Sequence, residues 1–256
     1  MSATVSFSAL AGLPEVTAGT DLAELIVGAA GRAGRALGDD TIVVVAQKIV
    51  SKAEGRSLRL DSVTPSPRAL ELAGITGKDA RLVELILSES SAVLRAVPNV
   101  LVVRHRLGWV MANAGIDRSN VPGSRSDECV LLLPLEPERS AARLRAGIRQ
   151  RAGVQPGVVI SDSFGRPWRN GVVNVALAAA GVSALVDRRG EIDREGRRLE
   201  ATLVAFADAV CAGAALAMGE AAEGTPVVLA EGLLPRRWPE RDARALIRPL
   251  EEDLFQ

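Results

Sequence analysis

The sequence predicts a mixed α and β chain, and three observations bear on that prediction. Two short apolar runs, residues 41–46 and 158–160, contain no turn former and suit buried strands. Stretches 21–37, 78–87, 138–152 and 199–218 repeat apolar residues at helical spacing. Neither a GxxxxGK[ST] phosphate loop nor a strand-linked GxGxxG occurs, so the two commonest nucleotide-binding devices are absent.

Taken in order, the first helix places Leu22, Leu25, Ile26 and Ala29 on one face, with Thr20 or Asp21 as its cap and Gly38 beyond its end. The strand at 41–46 follows, and the polar Gln47 and Lys48 just past it are candidates for a site. Residues 62–67 hold two prolines and small polar residues, a connection, before Leu82, Leu85 and Ile86 resume helical spacing. Residues 99–103 and 108–111 flank Arg104, His105 and Arg106 as paired strands. Residues 114–125 are dense in Gly, Asp, Ser, Asn and Pro, a composition that solvates or binds rather than packs.

The apolar residues 131–134 come before helix 138–152, which turns Leu144 and Ile148 inward and its arginines outward. Strand 158–160 runs straight into 161–171, the densest cluster of polar, glycine and tryptophan residues. Residues 172–184 are small and apolar and fit either a helix or a strand pair. Residues 199–218 form the longest helical candidate, ending at Gly219, and 226–230 is a further strand. No tandem repeat or low-complexity segment interrupts this order.

A chain of 256 residues is expected to form one catalytic unit, with or without a smaller lobe. Lysine plus arginine (31) balance aspartate plus glutamate (31), so no long-range positive field exists to hold nucleic acid or an anionic membrane. Residues 1–13 lack a basic segment followed by an apolar run, and no stretch reaches the roughly 18 to 20 apolar residues of a membrane span. A cytoplasmic protein is predicted. Cys129 and Cys211 lack CxxC spacing and read as two buried thiols. His105 is the only histidine, so a bound metal has to be oxygen-liganded, which favours magnesium or manganese over zinc or copper.

Three polar segments at strand ends compete for a ligand: 47–52, 115–120 and 161–170. Asp117 offers a hard anionic oxygen in a loop that glycine lets turn closely, although aspartates in such loops commonly cap backbone amides. Asp162 follows a buried strand, where an ionised carboxylate needs a cation, a metal or several donors; with Ser163 it supplies two metal-ligand oxygens, or else it pairs with Arg166 or Arg169. Arg166 and Arg169 can fork onto phosphate or carboxylate oxygens, and Trp168 between them can stack on a flat ring or simply pack. Lys48 and Lys52 are either phosphate contacts or solvated surface residues.

The segments VVVAQKIVSKAEGR (43–56), GWVMANAGIDRSNV (108–121) and ISDSFGRPWRNG (160–171) together resemble the motifs of the F-420:glutamyl ligase family. LAGLP at 10–14 and MGEAAEGTP at 218–226 extend the likeness over nearly the whole chain. The resemblance implies an α+β fold of mixed sheets with packed helices, neither Rossmann nor P-loop, and an intertwined homodimer. It implies a single ligase unit over 1–256 without the nitroreductase-like domain that some relatives carry after it.

Carried over residue by residue, the resemblance implies that GTP is held by Leu13, Pro14, Glu15 and Val16, by Gln47 and Lys52, and by Asn120. It adds Met218, Gly219, Glu220, Ala221, Ala222, Glu223, Gly224 and Thr225. Asp117 and Asp162 match one divalent-metal site; Ser163, with Glu220, matches a second. Gln47 stands where some members have serine, Ser163 where threonine is frequent, and Glu220 where lysine or glutamine occurs, which bears most on the second metal.

The implied reaction adds L-glutamate to coenzyme F-420-0, and onward from F-420-1 to a γ-linked oligoglutamate. GTP is the co-substrate, the metals are two Mg2+ or Mn2+ ions, and K+ is a further cation. The γ-phosphoryl group of GTP converts the acceptor carboxylate to an acyl phosphate, which the glutamate amine then displaces. By charge type and location, Asp162, Arg166 and Arg169 are the catalytic candidates, with Lys52 holding further anionic charge. Two other readings fit the same motifs: an amide ligase of the same mechanism with another acceptor, and a GTP- or metal-binding module without turnover. The motifs show no redox chemistry, which argues against an oxidoreductase.

Overall fold

Strict alternation along the buried strands sorts their side chains between two apolar layers. In the computed structural model, which describes residues 4–119, 128–233 and 238–253, the chain begins with β1 (Ser6–Ala9), α1 (Leu22–Arg32), β2 (Ile42–Ala46), α2 (Gln47–Ala53) and β3 (Ser57–Arg59). It continues through α3 (Pro67–Thr76), α4 (Ala80–Ser88), β4 (Ser90–Val97), β5 (Val100–His105), β6 (Val110–Ala112) and β7 (Cys129–Leu131). Then come α5 (Pro137–Ala152), β8 (Gly157–Arg166), β9 (Arg169–Ala180), β10 (Leu185–Asp187), β11 (Leu203–Ala205), α6 (Phe206–Met218) and β12 (Val227–Glu231).

The main sheet has the order β1-β12-β2-β8-β9, and within it only β2 and β8 run parallel. Val43, Val45, Val158, Ile160, Val227 and Leu229 belong to one core cluster, completed by Ile26 and Ala29 of α1 and Leu144 and Ile148 of α5. Ile42, Val44, Val159, Val228 and Ala230 belong to another, closed by Ala207, Val210, Cys211 and Ala214 of α6. Both faces of β2 are therefore buried, as an uninterrupted apolar run requires. A third cluster unites Leu72 of α3 and Leu82, Val83 and Ile86 of α4 with Leu101 and Val103 of the β4-β5-β6 sheet. The architecture is α+β: mixed sheets with packed helices.

Most predicted elements are present, with revised ends. Asp21 rather than Thr20 caps α1, accepting the Glu24 N–H at 3.0 Å, and the helix stops at Arg32 instead of 37. The proposed pairing across Arg104 to Arg106 is the β5–β6 ladder. The polar cluster 161–171 is the outer part of the β8–β9 hairpin, and residues 172–180 continue as strand. The long helical candidate 199–218 begins as β11 and becomes helix only at Phe206, so α5, with 16 residues, is longer than α6, with 13. The connection at 62–67 opens α3, whose start is marked by Ser66 accepting the Ala69 N–H and by Pro67, and whose end is marked by Gly77. Cys211 is buried as expected, whereas Cys129 is only half-buried. Among the described residues, no helix is long and apolar enough to cross a membrane.

One charge cluster centred on buried Glu89 ties the third core to the segment that follows α2. Arg56 Nη2 donates to Glu89 Oε1 at 2.9 Å and Arg56 Nε to the Leu133 carbonyl at 2.9 Å. Arg106 Nε donates to Glu89 Oε2 at 3.0 Å. The Leu107 N–H donates to His105 Nδ1 at 3.0 Å, which leaves the proton on Nε2, 3.5 Å from Glu89 Oε2. Burial alone would raise the Glu89 carboxyl, but the donors from His105, Arg56 and Arg106 outweigh it and hold it at about 2.

A depressed carboxylate contributes stability above its unfolded pKa and loses it as pH falls toward the folded one. Glu89→Gln is therefore expected to destabilise the fold by about 3 kcal/mol at pH 7, by stranding two guanidinium groups. Chemical denaturation followed from pH 7 toward pH 2 should show the deficit shrinking below roughly pH 4.5.

Candidate functional site

The parallel register pairs Ala46 with Ser161, so the ends of two buried strands leave the core side by side. From Ala46 the chain turns at once into α2, and the Ala46 N–H donates to the Pro226 carbonyl at 2.8 Å, bringing the segment before β12 to the same point. From Ser161 the chain continues as Asp162 and Ser163, just after a shift in the β8–β9 register between Ile160 and Ser161. A bulge at this position re-aims the side chains that follow it.

Around this junction lies a cavity of about 630 Å³, within the range of small-molecule sites. Leu13, Pro14, Glu15 and Val16 line it, as do Gln47, Lys48 and Lys52 of α2, Asp162 and Ser163 of β8, and all of Met218, Gly219, Glu220, Ala221, Ala222, Glu223, Gly224 and Thr225. The last segment is held closed at its ends by Thr225 Oγ1, which donates to the Met218 carbonyl at 2.8 Å. Inside it, Glu223 Oε2 accepts the Ala221 N–H at 2.8 Å. Lys52 Nζ pairs with Glu15 at 2.6 Å, linking α2 to the first loop. Gln47 is buried and accepts from Ser51 Oγ at 2.9 Å.

Asp117 does not line the cavity but stands behind Lys48, whose Nζ lies 2.6 Å from Asp117 Oδ2. The Asp117 backbone is clamped to Leu131 by two hydrogen bonds of 2.9 and 2.8 Å, and the turn into it places Asn113, Ala114 and Gly115 at positive φ. A Cβ at Gly115 would lie 2.7 Å from Met111 Cε, so only glycine fits there. Burial would raise the Asp117 carboxyl, but Lys48 and the Ser119 donors bring it below its usual range.

Asp162 has no such partner. Burial, first of all, pushes its carboxyl up to about 7; the charges of Asp117 and Glu220 act in the same direction, against the Ser163 N–H and Lys48. Asp117, Asp162 and Glu220 thus share one electrostatic neighbourhood short of positive charge. No ion pair joins Asp162 to Arg166 or Arg169 among the described residues, so that alternative for Asp162 is not what the structure shows. The two arginines pair with each other in register at the hairpin tip, around Pro167 and Trp168, and neither lines the cavity. Asn120 lies outside the described residues.

Sequence reasoning missed Asn174. It lies opposite Ser163 in the hairpin register, is 4% exposed and lines the cavity, and its Oδ1 has no hydrogen-bond partner among the described residues. The lone amide in the apolar run 172–180 is a visible signal, but only the pairing of two strands shows that it meets Ser163 at the cavity. The Ser161 Oγ, of another residue lining the cavity, is likewise buried without a hydrogen-bond partner among the described residues.

The model of the F420-0:Gamma-glutamyl ligase family matches residues 12–232. The chain belongs to this ligase family. Among its relatives, the coenzyme F420:L-glutamate ligase of Methanopyrus kandleri is 45% identical over 94% of this chain and 94% of its own. The proteins of the same name from Methanothermobacter thermautotrophicus and Haloarcula marismortui are 43% and 46% identical, covering 98% and 86% of this chain and 99% and 84% of their own. The span matched to the ligase family takes in all the cavity-lining residues named above.

Gly219 in this member of the ligase family adopts φ 75° and ψ 171°, a region almost closed to other residues, and the Glu223 side chain fills the space that a Cβ would need. Gly219→Ala is expected to cost about 1–3 kcal/mol locally and to release the Ala221 N–H from Glu223. Hydrogen exchange should then quicken at residues 219–224 while β2 and β8 keep their protection.

Proposed function

We propose that this chain joins L-glutamate to the carboxylate of coenzyme F-420-0, and to F-420-1 in a further round, at the expense of GTP. The observation that carries this reading is the single cavity in which the Leu13 loop, α2, the start of the β8–β9 hairpin and the Met218 loop converge. Family membership and relatives named for this reaction support it.

The donor set fits divalent ions. Asp117, Asp162, Glu220 and Ser163 offer only oxygens, as Mg2+ and Mn2+ prefer, and the one histidine is committed to the Glu89 cluster. No three acidic, histidine or cysteine side chains among the described residues form a cage of their own. Magnesium sites that lean on one or two carboxylates and complete themselves with water and substrate phosphates have this character. Asp117 and Asp162 would hold one ion; Ser163 and Glu220 are the candidates for a second. Bound there, such ions would neutralise phosphate oxygens and align the transferring group.

The chain's own contribution is binding and orientation. Lys52, kept beside Glu15, and Gln47, fixed by Ser51, present fixed groups to a nucleotide, while the Met218 loop offers backbone to it. The acceptor carboxylate attacks the γ-phosphorus as the bond to GDP breaks, and the resulting acyl phosphate loses phosphate to the glutamate amine, which releases a proton. Arg166 and Arg169 serve this chemistry only if anionic substrate extends to the hairpin tip. That tip exposes Trp168 (81%) and Val172 (54%), which suits the homodimer and the single catalytic unit included in this reading. A cytoplasmic location is part of the same proposal.

Asp162→Asn is expected to reduce turnover by at least about 10³-fold without lowering the melting temperature, because it removes a carboxylate whose ionisation the fold disfavours. The assay is phosphate release from GTP with Mn2+, glutamate and F-420-0. Release that depends on both acceptor and glutamate supports the ligase. Nucleotide binding without release points to a non-catalytic module, and activity only with another carboxylate moves the acceptor.

A further inference from the structure

The Lys48–Asp117 pair lies where the metal reading requires a vacant carboxylate. Lys48 Nζ is 2.6 Å from Asp117 Oδ2 and also donates to Ser119 Oγ at 2.8 Å. The other oxygen, Oδ1, accepts both the Ser119 N–H and its hydroxyl, each at 2.8 Å. Both carboxylate oxygens are therefore already engaged by protein donors. Lys48 lines the cavity and Asp117 does not, so the carboxylate is joined to the cavity wall through its ion pair with Lys48.

We propose that Lys48 is an internal counter-cation for Asp117 that must swing out into the cavity before a divalent ion can bind there. The inference rests on the metal reading above and adds to it the order in which charges change partners. Only one member of the pair can move. Asp117 is clamped through its backbone to Leu131, whereas Lys48 carries its charge on a flexible four-carbon stem at the start of α2. The pair is also partly exposed, at 29% and 24%, so it resists exchange by no more than roughly fivefold in binding. A divalent ion held by two carboxylates exceeds that. Once displaced, the Lys48 ammonium lies in the cavity wall among Lys52, Gln47 and the Met218 loop, placed to meet the anionic end of an incoming ligand. The exchange keeps Asp117 neutralised in both states, so the site never holds Asp117, Asp162 and Glu220 without a cation.

The test is Mn2+ binding to the full chain without nucleotide, read as loss of the free-ion electron paramagnetic resonance signal. Lys48→Gln is expected to bind Mn2+ up to roughly fivefold more tightly than the wild type. Lys48→Arg, which keeps the charge and can fork onto the carboxylate, should bind no more tightly than wild type. Lys52→Gln removes an equal charge from the same cavity but from a lysine paired with Glu15, and should change affinity by less than about twofold. If Lys48→Gln binds as the wild type does, or if Lys52→Gln tightens binding equally, the counter-cation idea is overturned while the metal site stands. If the wild type and Lys48→Gln both fail to bind Mn2+, the metal reading falls and this inference with it.

Discussion

The parallel pairing of β2 with β8 is the constraint on which the site depends. Parallel neighbours end at the same edge of a sheet, and here the register places Ala46 against Ser161. Gln47 and Lys48 on one strand exit, and Asp162 and Ser163 on the other, thus become neighbours although distant in sequence. Burying β2 on both faces leaves no freedom to slip: a shift of one residue would exchange the Val43 and Val45 face for the Ile42 and Val44 face, and α1 with α5 would meet the wrong surface.

Electrostatics then distinguishes the junction from a packed strand end. Water is withdrawn from Asp162, and Asp117 and Glu220 add like charge, so the carboxyl is held near 7 instead of in the usual acidic range. The opposite arrangement appears at Glu89, where three nitrogen-bearing side chains surround one carboxylate and hold it ionised. The Glu89 cluster is neutralised by side chains of the fold itself; the Asp162 junction has no comparable set of donors around its carboxyl.

Backbone strain marks the turn before Asp117 and the tip of the β8–β9 hairpin. Asn113 and Ala114 both take positive φ ahead of Asp117, which costs about 1–2 kcal/mol for each non-glycine residue. Trp168 does so at the hairpin tip, where Pro167 precedes it in a tight turn. These conformations persist because the Leu131 bridge on one side and the β8–β9 ladder on the other fix the chain at both ends.

Local chemistry was sufficient to reveal the buried strands at 41–46 and 158–160, the start of α1 at Thr20 or Asp21, the inward faces of α1 and α5, and the polar segments around Gln47, Asp117 and Asp162. Those features depend on residue type and on spacing of two or 3.6, and neighbouring residues suffice to express them. The motif likeness likewise named the Leu13 and Met218 loops, which composition alone would have left as surface. Strand pairing was beyond its reach: that 161–171 forms a hairpin arm, that Arg166 and Arg169 pair at its tip outside the cavity lining, and that Asn174 faces Ser163 all follow from register. So does the placement of Lys48 against Asp117. Those relations join residues from separate segments, and only the closed sheet, with its cores on both faces, decides which of them meet.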